Sequence, residues 1–293
     1  MSARIQPDLP PPGNVPKDLV IPPRDFDFAV RKLRAYFQGI GFIEVHTQNR
    51  LSILAACEDP STVATHEYLG QRWPLPQTGQ MWLEYEFARD PTVPGYFCVT
   101  TSYREEPNPV EGRHLCVFPL FEFETAGGMD RLREIEEGLV RALGFDAARF
   151  ARGTYADVCA RFSVEEVDHA EEDALYTKEK CPAYWLESFP EHTSPFWNMK
   201  RNDDGETAAK IDVIMCGQET IGSAERATDV AEMRRRFHTI EGGAYSKLLF
   251  DLFGKERVEA ELEGYLALPF YPRCGGGIGM TRLIRAMKLE GLM

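Results

Sequence analysis

Two stretches of this 293-residue chain carry arginine where phosphate chemistry needs it. The first is Thr101-Ser-Tyr-Arg-Glu-Glu106, followed after a short gap by Arg113-His114-Leu115-Cys116-Val117-Phe118. The second is Gly275-Gly-Gly-Ile-Gly-Met-Thr-Arg282, at the head of the last apolar stretch. A guanidinium is a planar fork of donors that grips a phosphate at two oxygens at once. A ring placed after such a run, as Phe118 is, can stack under a purine while a second arginine lies above it. Together the two stretches read as one ATP site. Familiar alternatives do not fit. Gly275-x-Gly277-x-Gly279 lacks the Gly-x-Gly-x-x-Gly spacing of a dinucleotide fold. No Gly-Lys-Ser/Thr run is present to form a P-loop.

The elements that must hold these residues follow from apolar spacing and turn chemistry. Residues 1–23 are rich in proline and read as an extended arm; residues 24–293 read as one catalytic domain. Phe26, Val30, Leu33, Phe37 and Ile40 repeat at helical spacing, Gly39 and Gly41 end that helix, and Phe42–Val45 reads as a strand. Tyr96–Tyr103 and His114–Glu124 read as two strands around a turn rich in proline. Asp130–Leu143 is an amphipathic helix, and 150–190 reads as short helices and loops. Ile211–Met215 and Glu219–Ile221 form a hairpin about Gly217-Gln218. Asp229–Phe253 holds two helices broken near Gly242-Gly243, and Thr281–Leu289 is a last short helix. Strands joined by loops and hairpins, without regular strand–helix crossovers, imply an α+β fold with a mainly antiparallel sheet flanked by helices.

Composition bounds the rest. Hydrophobic content of 43% with 11% aromatics is ample for a packed core. The chain shows no apolar run of membrane-spanning length and no signal peptide at its start. Seven scattered cysteines without metal-like spacing suit free thiols in a reducing cytoplasm, with Cys57, Cys98, Cys159 and Cys216 as small packing residues. The net charge of −13 argues against a grip on a long polyanion. The basic run Arg234-Arg235-Arg236 reads as a solvated helix face.

The two arginine stretches resemble the second and third signature motifs of the class II aminoacyl-tRNA synthetases, nearest to the asparaginyl enzymes. Three more blocks agree, in the family's order: Phe37 through Thr47 with the first motif, Gln77-Thr-Gly-Gln-Met-Trp-Leu-Glu84, and Ile211–Glu219 followed by Thr-Ile-Gly-Ser-Ala-Glu-Arg226. The resemblance implies roles. Arg104 would grip the α-phosphate of ATP and the substrate carboxylate, and Glu106 would read the adenine amino group. Arg113 and His114 would reach the outer phosphates, Phe118 would stack under adenine, and Arg282 would meet the γ-phosphate and cover the purine. Gly279, with the other glycines of Gly275–Gly279, would let backbone pass close to the nucleotide. Asp212 and Glu219 would hold Mg2+, which takes hard oxygen ligands. Gln80 and Glu122 would take the substrate ammonium. Glu84 is of the asparaginyl type, and Arg226 would contact a side-chain carbonyl. A homodimer across a two-fold axis is implied too.

Departures from the family pattern narrow the reading. Leu83 stands where aspartyl enzymes carry a lysine, which leans away from aspartate bound in their manner. Gln48 replaces the first motif's proline, Val117 a glutamate, and Leu120 a polar residue. Nothing ahead of residue 26 could build the anticodon-reading barrel of the asparaginyl enzymes. The resemblance then implies an ATP-dependent ligase that adenylates an aspartate- or asparagine-type amino acid and passes the acyl group to ammonia or a small amine, not to tRNA. The archaeal-type asparagine synthetases resemble such a core. Two alternatives stay open: a stand-alone aminoacylating enzyme acting on a tRNA, protein or carrier, and a non-catalytic synthetase paralogue.

Overall fold

A computed structural model of the chain describes residues 21–48, 51–54, 60–106 and 115–293. The proline-rich arm up to residue 20, Cys57, Arg113 and His114 lie outside the described residues. Chain order is α1 (Pro23–Gly39), β1 (Ile43–Glu44), β2 (Thr65–Tyr68), β3 (Gln71–Pro74), α2 (Gln80–Arg89), β4 (Gly95–Tyr103), β5 (Val117–Ala126) and α3 (Met129–Leu143). It continues with β6 (Ala151–Thr154), α4 (Tyr155–Phe162), α5 (His169–Thr177), β7 (Ala183–Pro190), β8 (Thr207–Met215) and β9 (Gln218–Glu225). The last elements are α6 (Val230–Thr239), α7 (Ala244–Phe253), α8 (Lys255–Leu266), β10 (Arg273–Gly279) and α9 (Met280–Leu289).

Among the described residues, eight strands form one sheet in the order β1-β4-β5-β10-β9-β8-β7-β6, and β2 and β3 make a separate hairpin. Its central pairings are antiparallel, and the edge pairs β1–β4 and β6–β7 run parallel. The sheet is thus mainly antiparallel and flanked by helices, as the hairpin-rich sequence implies. Cys216 and Gly217 both take positive φ, so the β8–β9 turn is a two-residue hairpin one position earlier than the sequence reading put it.

Side-chain alternation gives the sheet two different faces. Phe121 and Phe123 of β5, Ile211 and Val213 of β8, Ile221 of β9, and Cys274 and Ile278 of β10 point into one apolar core. The helices α1, α3 and α9 cover it with Ala29, Val30, Leu33, Phe37, Leu132, Leu139, Leu283 and Met287. Phe37 is the knot: its ring lies 5.1 Å from both Phe121 and Phe123, and 5.4 Å from Phe42. Truncating such a ring costs about 3–5 kcal/mol. The apolar stripe Phe26–Phe37 is therefore committed to this core. The other sheet face carries the polar residues and the cleft. Beside it α6, α7 and α8 pack a second core around Trp197, Phe237, Tyr245 and Leu262.

Several expectations needed correction. The strand predicted over Phe42–Val45 is shorter, Ile43–Glu44; Phe42 packs against Phe37, and the Val45 N–H bonds the Phe97 carbonyl at 2.8 Å. The second motif strand begins at Val117, not at His114. Residues 150–190 hold the strands β6 and β7 as well as helices. In β7 nearly every residue is buried, so it lacks the alternation that betrays a strand. Helix α8 was not anticipated. The run Gly275–Gly279 is a central strand paired on both sides. A Cβ on Gly275 would meet Glu124 Oε2 at 2.0 Å and the Phe123 carbonyl oxygen at 2.3 Å, so its absence makes room for a buried carboxylate.

Glu136 of α3 is fully buried under the sheet, where it accepts hydrogen bonds from Trp185 Nε1 at 3.1 Å and Ser223 Oγ at 2.5 Å. Burial pushes its carboxyl up to about 8, against the lowering effect of those two bonds. The folded chain then keeps a proton that the unfolded chain loses above about pH 4.5. Through this group, stability falls as pH rises across that window and levels above about 8. Glu136→Gln keeps the shape and cannot titrate, so its melting temperature should fall less steeply between pH 5 and 8 than the parent's. Equal slopes by scanning calorimetry would show that Glu136 does not hold this proton.

Candidate active site

A cleft of about 420 Å³ opens on the polar face of the sheet, with Arg104, Glu106, Phe118, Lys210, Glu219 and Arg282 among its lining residues. Arg104 ends the rise of β4. Its backbone N–H bonds the Cys116 carbonyl at 2.8 Å, and it bridges to Val63. Its guanidinium lies 5.5 Å from the centre of the Phe118 ring and 3.9 Å from Glu106. Phe118 shares the cleft side of β5 with Leu120, because residues two apart share a face. Gly277 and Gly279 line the floor, where a side chain would intrude. Arg282, in the first turn of α9, donates from Nη1 to the Glu219 carbonyl at 2.6 Å and lies 3.8 Å from the Glu219 carboxylate.

Asp212 lies on β8, also facing the cleft side. Its Oδ2 takes the Lys210 ammonium at 2.7 Å, while its Oδ1 is buried without a hydrogen bond from the described residues. Burial pushes its carboxyl up to about 7; Lys210 opposes the rise and Glu219 adds to it. A buried acceptor with no donor, next to a second carboxylate, fits a hard cation that also takes phosphate oxygens. Among the described residues, no group of three or more His, Cys, Asp and Glu gathers as a metal cluster. Two protein carboxylates with phosphate oxygens are the set Mg2+ takes beside a nucleotide.

The residues assigned to the amino acid lie farther along the same face and do not line the cleft. Gln80, Glu84, Glu122 and Arg226 are each 1% exposed or less. Glu122 accepts from the Gly79 N–H at 2.8 Å and from the hydroxyls of Thr78 and Thr100. Burial pushes its carboxyl up to about 7 in spite of these bonds. Arg226 pairs with Glu124 at 3.4 Å and Glu84 at 3.8 Å. Arg273 donates to Glu84 Oε2 at 2.6 Å and to the Tyr265 hydroxyl at 2.7 Å. Burial raises Glu124, whereas the two guanidiniums hold Glu84 below its ordinary value against its own burial. Among the described residues, three acceptors in this cluster have no hydrogen bond: Gln80 Oε1, Asn198 Oδ1 and Glu124 Oε1, the last lying 3.7 Å from Arg273 Nε. Leu83 packs with Phe87, Tyr96 and Cys98, and the Cys98 thiol in turn faces Glu122 Oε2 at 3.8 Å, so Leu83 stands one side chain away from this cluster.

Glu124, Arg273, Asn198, Tyr265 and Lys210 were not singled out in the sequence. Glu124 and Lys210 had a readable signal, since each stands two residues from a chosen acid on a strand and so shares its face. Arg273, Asn198 and Tyr265 had none, being brought in by long-range packing. Removing Arg273 leaves Glu84 buried without its closest charged partner. Arg273→Met should therefore lower unfolding stability by roughly 3–5 kcal/mol, and adding Glu84→Gln should restore part of that loss. A loss under about 1 kcal/mol in urea titrations, on the scale of an exposed pair, would show that this pairing does not hold the cluster.

Comparison with known proteins agrees with the fold. The family model described as tRNA synthetases class II (D, K and N) matches residues 26–290. Aspartate–tRNA ligase 1, cytoplasmic, of Arabidopsis thaliana is 25% identical over 288 residues, which cover 86% of this chain and 51% of the plant protein. Asparagine–tRNA ligase of Mesoplasma florum is 30% identical over 128 residues, 42% of this chain and 22% of that protein. The asparaginyl-tRNA synthetase from Pyrococcus horikoshii complexed with asparaginyl-adenylate superposes with a TM-score of 0.71 at 20% identity, covering 90% of this chain and 64% of that one. The chain spans about half the length of the aspartate–tRNA ligases it matches. No helix among the described residues is long and apolar enough to cross a membrane. With the family match running through almost all of its sequence and the same antiparallel fold beneath it, the chain belongs to the class II tRNA synthetases of the D, K and N group.

Proposed function

We propose that this chain is an AMP-forming ligase that adenylates an aspartate- or asparagine-type amino acid and passes the acyl group to ammonia or a small amine. The observation that carries the reading is the Arg104–Phe118 stack in a cleft that also holds Arg282 and Glu219. From Phe118 on β5 to Asp212 on β8 is three strand spacings, about 14 Å, a span that suits a nucleotide laid from base to phosphates. Phe118 and Arg282 would hold the adenine between them, Glu106 would read its amino group, and Arg104 would bind the α-phosphate and the substrate carboxylate. Arg113 and His114 would meet the outer phosphates, and the Gly279 backbone would lie close to the nucleotide. Mg2+ held by Asp212 and Glu219 would supply charge neutralisation at the phosphates.

The chemistry needs no covalent enzyme intermediate. A carboxylate oxygen of the amino acid attacks the α-phosphorus, the bond to the bridging oxygen breaks, and pyrophosphate leaves. An amine nitrogen then attacks the acyl carbon, AMP leaves, and the nitrogen loses its proton. The residues contribute position and charge, chiefly through Arg104 and Arg282. The acceptors of Gln80 and Asn198 that meet no donor among the described residues support a substrate rich in N–H donors, as an α-ammonium and a side-chain amide are. Arg226 would offer its guanidinium to the side-chain carbonyl by exchanging contacts with Glu84 and Glu124, and Glu122 would take the ammonium by exchanging its threonines.

The acceptor reading is supported by charge. The net charge is −13, and Arg234, Arg235 and Arg236 are each ion-paired, to Glu263, Glu232 and Glu191. A second reading, transfer to tRNA, is favoured by the names of the relatives, all tRNA ligases. With Mg2+ and its amino acid, the purified protein should convert ATP to AMP and pyrophosphate, and ammonia should divert the acyl group into an amide seen by mass spectrometry. Arg104→Ala should abolish pyrophosphate exchange without unfolding the chain. Release of ADP and phosphate would sink the adenylation claim, and acylation of tRNA with no amide product would sink the acceptor claim.

A homodimer is part of this reading, as is usual for class II sites. Ile43 is 50% exposed on β1, at the sheet edge. Light scattering at micromolar concentration should give twice the chain mass of 33.2 kDa, and Ile43→Lys should shift it toward the monomer. A monomeric parent protein would remove the dimer from the proposal.

A further inference from the structure

Lys210 is a charged side chain of the cleft that the motifs leave without a role. It stands two residues before Asp212 on β8, so both project to the cleft face. Its Nζ lies 2.7 Å from Asp212 Oδ2 and 3.9 Å from the centre of the Phe189 ring. The ring steadies the ammonium by a cation–π contact, and the aliphatic stem can lie along it. Across the ladder, Lys210 faces Ala224 and Asp212 faces Gly222, so no bulky neighbour on β9 screens the pair. The lysine thus claims one oxygen of the carboxylate assigned to Mg2+. The other oxygen, Oδ1, is buried and accepts no hydrogen bond from the described residues. One carboxylate is divided between a fixed ammonium and an open coordination position.

We propose that Lys210 is a built-in cation for the triphosphate end of the nucleotide, sharing Asp212 with a single divalent ion and doing part of the work a second ion would do. The inference rests on the adenylating reading. An ammonium is a compact charge with rotatable donors that can follow a phosphate through reaction. Placed here, it offsets charge on the departing pyrophosphate at low free Mg2+. Glu219 and Arg282 border the same end of the cleft, so the phosphates would meet cations from two sides.

The test compares the parent protein, Lys210→Gln and Lys210→Arg. A non-hydrolysable ATP analogue is titrated by calorimetry at limiting and at excess Mg2+, and bound Mn2+ is counted by electron paramagnetic resonance. The parent should bind the analogue with one Mn2+. Lys210→Gln should lose on the order of tenfold in affinity at limiting Mg2+, recover it at excess, and take up a second Mn2+. Lys210→Arg should keep most of the parent's affinity at limiting Mg2+. An equal loss at both Mg2+ levels, the mark of a merely structural role, would overturn the inference, as would no loss at all. If the parent fails to bind the analogue under any condition, the adenylating reading falls and this inference with it. If it binds and the two Mg2+ dependences coincide, only the role of Lys210 falls.

Discussion

Two guanidiniums and two carboxylates buried together hold the working face of this protein in register. Arg226 and Arg273 meet Glu84 and Glu124 with side chains at most 2% exposed. They come from four places: helix α2, strand β5, the end of β9 and the start of β10. Taking an ion out of water costs several kcal/mol, and a cluster of this kind is tolerable only when each charge finds its opposite. The four elements must therefore arrive together. A slip of β5 by one residue would carry Phe121 and Phe123 to the charged face and Glu122 and Glu124 into the aromatic core.

That constraint divides the sheet into an apolar side and a polar side. Helices α1, α3 and α9 cover the first and close it around Phe37. The second face stays available for chemistry, and the glycines of β10 keep it passable. Gly275 leaves space for Glu124, while Gly277 and Gly279 leave the cleft floor bare. The same strand that removes side chains from the site also supplies Arg273 at its start and leads directly into Arg282. Rigid strands, not loops, thus carry much of the site's charge, which suits chemistry that depends on position.

Charge is distributed along this face in a graded way. Among Glu84, Glu124, Arg226 and Arg273, guanidiniums and carboxylates are sealed together and balanced in number. At the cleft, Arg104 and Arg282 are a quarter exposed and lie 3.9 Å and 3.8 Å from the carboxylates of Glu106 and Glu219, and Arg282 also keeps its hydrogen bond to the Glu219 carbonyl. The two longer ion pairs give way more readily to a phosphate. The Lys210–Asp212 pair sits between the two regimes, close and mostly buried, with one acceptor oxygen left over.

Much was legible in the sequence because it is local. Alternation and helical spacing marked α1, α3, β4, β5 and the β8–β9 hairpin, and the arginine and glycine runs marked the cleft. Those signals depend on neighbours within a few residues, where strand and helix periods act. Strand β7 was not legible, since burial on both faces removes alternation. The direction taken by Leu83 was not legible either, since helical spacing sets its face of α2 but not which layer that face meets. Above all, the closure of Arg226 and Glu84 by Arg273, Glu124 and Tyr265 depends on residues 102 to 189 positions apart in the chain. The sequence by itself determined which charges exist and on which face of each element they stand. Only tertiary structure decided which of them meet, because burial makes pairing obligatory and the partner is chosen by packing.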